Sequence, residues 1–140
     1  MTSQLWKDQP FTDSHADGTG TVQGGFKGGL RAFFEYRDLG VNSATKGGYG
    51  ANVIRAVPSL HAEPTWHVHD LDFQMIYILQ GWVTFEYEGE GEVTFRSGSA
   101  ASQPPGMRYR EIRRSDDLEL IEITSPAEFE TQIVDDPANG

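Results

Sequence analysis

The run Trp66-His67-Val68-His69-Asp70-Leu71-Asp72-Phe73-Gln74-Met75-Ile76-Tyr77-Ile78-Leu79-Gln80-Gly81 decides how this chain is read. Only four histidines occur in the chain, and two of them stand here with one residue between them. Side chains on an extended strand alternate between faces, so His67 and His69 project to the same side, with rings close enough to share one metal ion. A helix would need a spacing of three or four. Gln74 would face away on an unbroken strand, but Asp70-Leu71-Asp72 is a turn sequence that can reset the parity and swing Gln74 back beside both imidazoles. From Phe73 to Leu79 the run is apolar on both parities, so its second side needs a cover. The N-terminal arm or a partner subunit can supply one, and a homodimer is expected.

Outward from this run, short aromatic and β-branched segments are divided by turn clusters such as Lys46-Gly47-Gly48, Glu88-Gly89-Glu90-Gly91, Pro104-Pro105-Gly106 and Ser115-Asp116-Asp117. They predict strands at about 30–37, 49–57, 65–69, 73–79, 82–87, 91–96, 107–113 and 118–124, with no convincing helix. Such even spacing suggests an antiparallel sandwich or barrel. Residues 1–29 read as a glycine-rich arm. Gly18-Thr19-Gly20 lacks the preceding strand and following helix of a nucleotide loop. Residues 126–140 read as a tail that adds a short strand or helix near 127–134, with no chemistry attached.

Composition narrows the function. The chain has 140 residues, 11 basic and 21 acidic side chains and a formal net charge of −10. That balance repels phosphate backbones, so nucleic acid is not an expected partner and a small-molecule ligand is. With no cysteine, thiolate metal sites and cysteine nucleophiles are excluded, which leaves imidazole and oxygen ligands. No apolar run reaches the length of a membrane span, and the polar start Met1-Thr2-Ser3-Gln4 lacks a signal-peptide profile. The expectation is no membrane association and a cytoplasmic location.

The histidine pair extends to His67-x-His69-x4-Gln74-x6-Gly81, and a second set follows as Gly98-x5-Pro104-x-Gly106-x2-Tyr109-x3-Arg113. Together they resemble the two motifs of the cupin superfamily, and with the flanking strands the resemblance covers about residues 30–125. It implies an all-β fold, a single jelly-roll barrel (double-stranded β-helix). The mouth of such a barrel holds a metal, commonly iron, manganese, nickel, zinc or copper, on three histidines and a glutamate. The chain departs from that pattern at three places. Gln74 replaces the glutamate, Tyr109 replaces the third histidine, and His61 stands where the first motif usually begins with glycine.

A glutamine oxygen is neutral and a weaker ligand than a carboxylate, while a tyrosine ligates well only as phenolate. Two readings follow. In one, His67, His69, Gln74 and Tyr109 form a weakened site for a divalent or ferric transition metal: iron, zinc, nickel or manganese. In the other they are polar lining residues, hydrogen-bonded to one another with no ion. Arg113 shares parity with Tyr109, and a guanidinium is suited to gripping a carboxylate, which implies an anionic substrate. The competing role for Arg113 is an ion pair with a carboxylate on a neighbouring strand. Trp66 and Tyr77 would wall the site, or simply be core. Glu86, Glu88, Glu90 and Glu92 alternate around a wet turn and are set aside as a solvated face.

Two functions are consistent with these residues. The first is a metal-dependent cupin enzyme of dioxygenase, isomerase, cyclase or lyase type, with Tyr109 as ligand or proton donor and Arg113, Tyr77 and Trp66 against a small anionic organic molecule. The second is a non-catalytic, ligand-binding cupin without metal.

Overall fold

The computed structural model describes residues 8–28 and 33–139. Eleven strands run in chain order: β1 (Lys27–Gly28), β2 (Phe34–Asp38), β3 (Gly50–Ala56), β4 (His67–Asp70), β5 (Phe73–Gln80), β6 (Trp82–Tyr87), β7 (Gly91–Arg96), β8 (Ala100–Ser102), β9 (Tyr109–Arg114), β10 (Glu119–Ser125) and β11 (Glu130–Ile133). One helical turn, α1 (Val41–Ala44), interrupts them between β2 and β3. The strands form a six-stranded sheet in the order β1-β2-β3-β10-β5-β8 and a five-stranded sheet in the order β11-β4-β9-β6-β7. Each pairing is antiparallel. The result is an all-β, two-sheet arrangement of the jelly-roll kind. Among the described residues neither sheet closes on itself. No helix among the described residues is long and apolar enough to cross a membrane.

Side-chain alternation decides what lies between the sheets. Ile54, Ile76, Ile78 and Leu120 come from the six-stranded sheet, Val83, Tyr87, Phe95 and Tyr109 from the five-stranded one, and together they make one core. Ile78 and Val83 are wholly buried. On β5 the opposite parity, Phe73, Tyr77 and Leu79, is 38–43% exposed. The two apolar parities of this run are thus a core row and an open outer row.

Two turns pass the chain from one sheet to the other. Leu71 and Asp72 link β4 to β5, so Gln74 does turn inward, from the sheet opposite the histidines. Gly81 links β5 to β6 with φ of 74°, and a Cβ there would lie 2.6 Å from the Asp117 carboxylate and collide with Ser115 Oγ. Only glycine suits that turn.

The pairing of β9 with β6 has a break that the sequence did not announce. Thr84 lies opposite Arg113 but Phe85 lies opposite Glu111, so Ile112 is an extra residue. Up to the bulge Tyr109 and Glu111 face inward. Past it the parity inverts, turning Arg113 outward and Arg114 inward. The Arg114 side chain is fully buried, donates to the carbonyls of Val57, Leu60 and Ser115, and has Nε 3.8 Å from Glu111 Oε2.

The described parts of the arm and the tail are more structured than a polar composition suggests. In the arm, Thr12 Oγ1 donates to Gly40 O at 3.0 Å, Ser14 Oγ donates to Asp38 O at 2.8 Å, and the Phe26 ring lies 3.8 Å from the Arg55 guanidinium. The first expected strand was to begin at 30; residues 29–32 lie outside the described residues. In the tail, β11 pairs with β4 and sets Thr131 opposite His69. The last strand is therefore part of the five-stranded sheet and reaches the site.

Candidate functional site

His67 and His69 alternate with Val68 on β4 and point the same way, as a spacing of two requires. Their ring centroids are 4.9 Å apart. Tyr109 begins β9 directly opposite His67, and its ring centroid lies 4.4 Å from that of His67 and 5.6 Å from that of His69. His67 and Tyr109 are each 7% exposed. All three line a cavity of about 430 Å³ between the sheets. Tyr36, Ile76 and Glu122 face them from the six-stranded sheet, while Glu111, Phe129 and Thr131 complete their own side.

Hydrogen bonds fix the imidazoles. His67 Nδ1 is 2.9 Å from the carbonyl oxygen of Thr65, which can only accept, so Nδ1 carries a proton. His69 sits in a chain: Nδ1 is 2.7 Å from Thr131 Oγ1 and Nε2 is 2.9 Å from the Tyr109 hydroxyl. With the proton on Nδ1, the phenol donates to Nε2. With it on Nε2, the ring donates to the phenol oxygen, and the phenol proton is aimed elsewhere. Moving one proton along Thr131, His69 and Tyr109 therefore converts the phenol between acceptor and donor.

Behind Tyr109, Tyr87 stacks at 5.5 Å and its hydroxyl donates to Gln103 Oε1 at 2.6 Å. Burial, and then the neighbouring Tyr109, push the Tyr87 phenol up from its ordinary 10.0. It is a fixed neutral donor at physiological pH.

The other residues singled out in the sequence take different places. Gln74 is 3% exposed and does not reach the cavity wall; its Nε2 donates to Glu122 Oε2 at 3.0 Å, so it holds a carboxylate where a ligand was expected. Arg113 does not face the interior. The bulge at Ile112 turns it outward to Glu92, with Nη2 3.1 Å from Oε1, so of the two roles open to Arg113 the geometry shows the ion pair and not an inward contact. Tyr77 lies on the outer row of β5, 43% exposed, and is no wall of the site. Trp66 is buried one residue before β4, where alternation turns it away from the histidine face, and it lies under the Arg110 guanidinium at 4.8 Å. His61 stands at the surface with Nε2 3.5 Å from Asp116 Oδ1 and does not line the cavity.

Sequence reasoning passed over Glu111, Glu122, Tyr36, Phe129 and Thr131. A signal existed for two of them. Glu122 shares parity with Leu118 and Leu120, and Glu111 with Tyr109, so each is an acid in an inward row. Phe129 and Thr131 carry no such mark in a polar tail.

The donor set argues against a metal centre. Among the described residues, no three histidine or carboxylate side chains converge as ligands. Both His69 nitrogens are engaged by hydroxyls, and Gln74 does not line the cavity beside them. The residues present do not fit the ion that the cupin resemblance implies.

No protein-family model and no curated protein matches the chain. Among solved structures it is similar to KdgF from Halomonas sp., with a TM-score of 0.60 and 20% identity over 75% of this chain and 90% of that one. It is similar to Pac13 from Streptomyces, a nucleoside dehydratase also solved with uridine, with a TM-score of 0.57 and 12% identity over 78% of this chain and 84% of that one. A protein with a double-stranded β-helix domain from Klebsiella pneumoniae gives a TM-score of 0.52 and 14% identity over 64% of this chain and 77% of that one. At these identities the likeness is one of fold alone, a jelly-roll or double-stranded β-helix arrangement.

Proposed function

We propose that this chain is a small cupin jelly-roll protein that binds a small organic molecule between its sheets without a metal ion. The observation that carries this reading is the cavity of about 430 Å³ whose mainly apolar and aromatic wall is interrupted by His67, His69, Tyr109, Glu111 and Glu122. A few convergent polar groups in an apolar pocket are the usual form of a small-molecule site. Of the two functions open at the start, the ligand-binding cupin is preferred over the metal enzyme, since His67 and His69 alone make a weak site.

The test is metal analysis of protein purified without chelator, followed by calorimetric titration with zinc, nickel, manganese and ferrous iron. Substoichiometric metal and no tight site support the reading. A stoichiometric ion that is lost in His67→Ala overturns it.

A second reading, catalysis by proton transfer, is favoured by one specific observation: the hydrogen-bonded chain of Thr131, His69 and Tyr109 at the cavity wall. A hydroxyl-oriented imidazole beside a phenol is a general acid–base arrangement. The fold-level likeness to Pac13, a dehydratase, is compatible with such chemistry and selects no substrate. Turnover surviving unchanged in both His69→Ala and Tyr109→Phe would eliminate it. The homodimer expected from β5 is retained as a proposal on the exposed row Phe73, Tyr77 and Leu79. A monomeric mass in light scattering at micromolar concentration would remove it.

A further inference from the structure

We infer that the N-terminal arm builds a second compartment of the ligand site, which takes the uncharged, hydroxyl-bearing end of a molecule whose apolar end fills the inner cavity. This deepens the proposed function and rests on the inner cavity being a ligand site.

The inward face of β2 and β3 carries the inference. Phe34, Tyr36 and Ile54 line the cavity of about 430 Å³, and the next inward pair along the same ladder, Asp38 opposite Asn52, lines a second cavity of about 280 Å³. Tyr36 lines both. The arm supplies the other side of the second cavity with Gln23, Gly24 and Gly25, and with Lys27, which stands opposite Tyr36 in the pairing of β1 with β2. A ligand that extends past the Tyr36 ring therefore leaves the first cavity for the space against the arm.

The two walls differ in chemistry. The inner one is mainly aromatic and aliphatic, whereas the outer one offers the side-chain amides of Gln23 and Asn52, the Lys27 ammonium and the Asp38 carboxylate. An amide donates and accepts, an ammonium only donates and a carboxylate only accepts. A hydroxyl can answer each of them, whereas a saturated chain answers none and displaces their water.

The arm is seated in a notch at Gly40. A Cβ there would lie 2.7 Å from Thr12 Oγ1 and 2.9 Å from Val22 Cγ2. Both neighbours are β-branched and stiff, so a side chain at position 40 should displace this stretch of the arm, and Val22 is itself part of the second cavity's wall. Gly40 has φ of 89° and Gly47 has φ of 85°, but a Cβ at Gly47 would meet nothing within 4 Å. The two glycines thus separate the seating of the arm from the strain of the backbone.

The test compares three uncharged probes on the full chain by amide chemical-shift titration: 2-phenylethanol, N-(2-phenylethyl)gluconamide and N-(2-phenylethyl)hexanamide. The two amides share a ring and the length of the acyl chain, and differ in the hydroxyls along it. The alcohol should shift signals of inner-cavity residues alone. The gluconamide should also shift the amides of Gly24, Gly25 and Asn52, and should bind about fivefold or more tightly than the hexanamide. Gly40→Ala should remove that preference and keep the alcohol's dissociation constant within about twofold, while Gly47→Ala leaves both as in the wild type. If Gly40→Ala gives no dispersed spectrum, Gln23→Ala, at an exposed position, carries the comparison and should narrow the preference by about twofold or more. Equal or tighter binding of the hexanamide, a gluconamide that leaves Gly24 and Gly25 unshifted, a preference untouched by Gly40→Ala and Gln23→Ala, or an equal loss in Gly47→Ala overturns the inference while leaving the inner pocket standing. Absence of any shift at inner-cavity residues with all three probes sinks the pocket reading itself.

Discussion

Along β9 and its neighbour β6, the inward residues Tyr109 and Glu111 sit among imidazoles and aromatic rings, whereas the outward residues Arg110 and Arg113 meet Glu86 and Glu92, the first pair half-buried and the second exposed to solvent. The same residue classes occupy both faces, and water decides what they are worth. An outer pair exchanges hydration for a screened contact and gains little. An inner polar group has surrendered its hydration, so each missing partner is felt. The difference teaches where function can reside: only on the inner face are these groups held tightly enough to act on a bound molecule.

The largest effect should come from the residue that the bulge turns from one face to the other. Arg114→Ala removes a fully buried guanidinium from Val57, Leu60 and Glu111 and should cost about 3–5 kcal/mol in urea denaturation. Arg113→Ala, its exposed neighbour, should cost less than about 0.5 kcal/mol. Equal costs would erase the contrast between the faces.

Tyr87→Phe should cost about 1–3 kcal/mol at pH 7, because it strands the Gln103 carbonyl in a buried site. Its pH dependence sharpens the comparison. The folded phenol is raised above its ordinary 10.0, so above that pH the folded chain keeps a proton that the unfolded chain has lost. Stability from this group is complete below pH 10 and falls as pH rises beyond it, by at most about 1.4 kcal/mol per unit. The gap between wild type and Tyr87→Phe should therefore narrow above pH 10 and stay constant below pH 9. A constant gap to pH 11.5 would contradict the burial.

Tyr109→Phe should be milder, about 1 kcal/mol, because His69 and the deleted hydroxyl both border the cavity, which water can enter. The more informative readout is the His69 ring in a nitrogen-detected spectrum. Loss of the phenol should shift its Nε2 resonance and leave that of His67, held by Thr65, in place.

Much of this was legible in the chain because period-two alternation is local. The strands around His67, Gln74, Trp82 and Glu119 follow from their own residues, and a one-residue gap between His67 and His69 suffices to bring the rings together. Non-local features were not legible. Nothing in Arg110-Glu111-Ile112-Arg113 marks a bulge, since the extra residue exists only relative to β6, and so parity left Arg113 open between the interior and an ion pair. Phe129 and Thr131 enter the site through the pairing of β11 with β4, which their polar surroundings do not encode. Val41–Ala44 forms a single helical turn too short for a periodic signal.

The smallest expected effect tests the outer face most directly. Arg113 and Glu92 are 57% and 50% exposed, and a double-mutant cycle over Arg113→Ala and Glu92→Ala should give a coupling of about 0.2–0.5 kcal/mol at low salt. Near 1 M salt the Debye length falls to about 3 Å, and that coupling should vanish. A cycle between Arg114 and Glu111 should keep most of its coupling in the same salt, because ions cannot enter a site whose partners are 0% and 13% exposed. The two cycles differ in sequence by a single step along β9. Unequal salt responses would mean that the bulge, by deciding which arginine is buried, also decides which ion pair the solvent can screen.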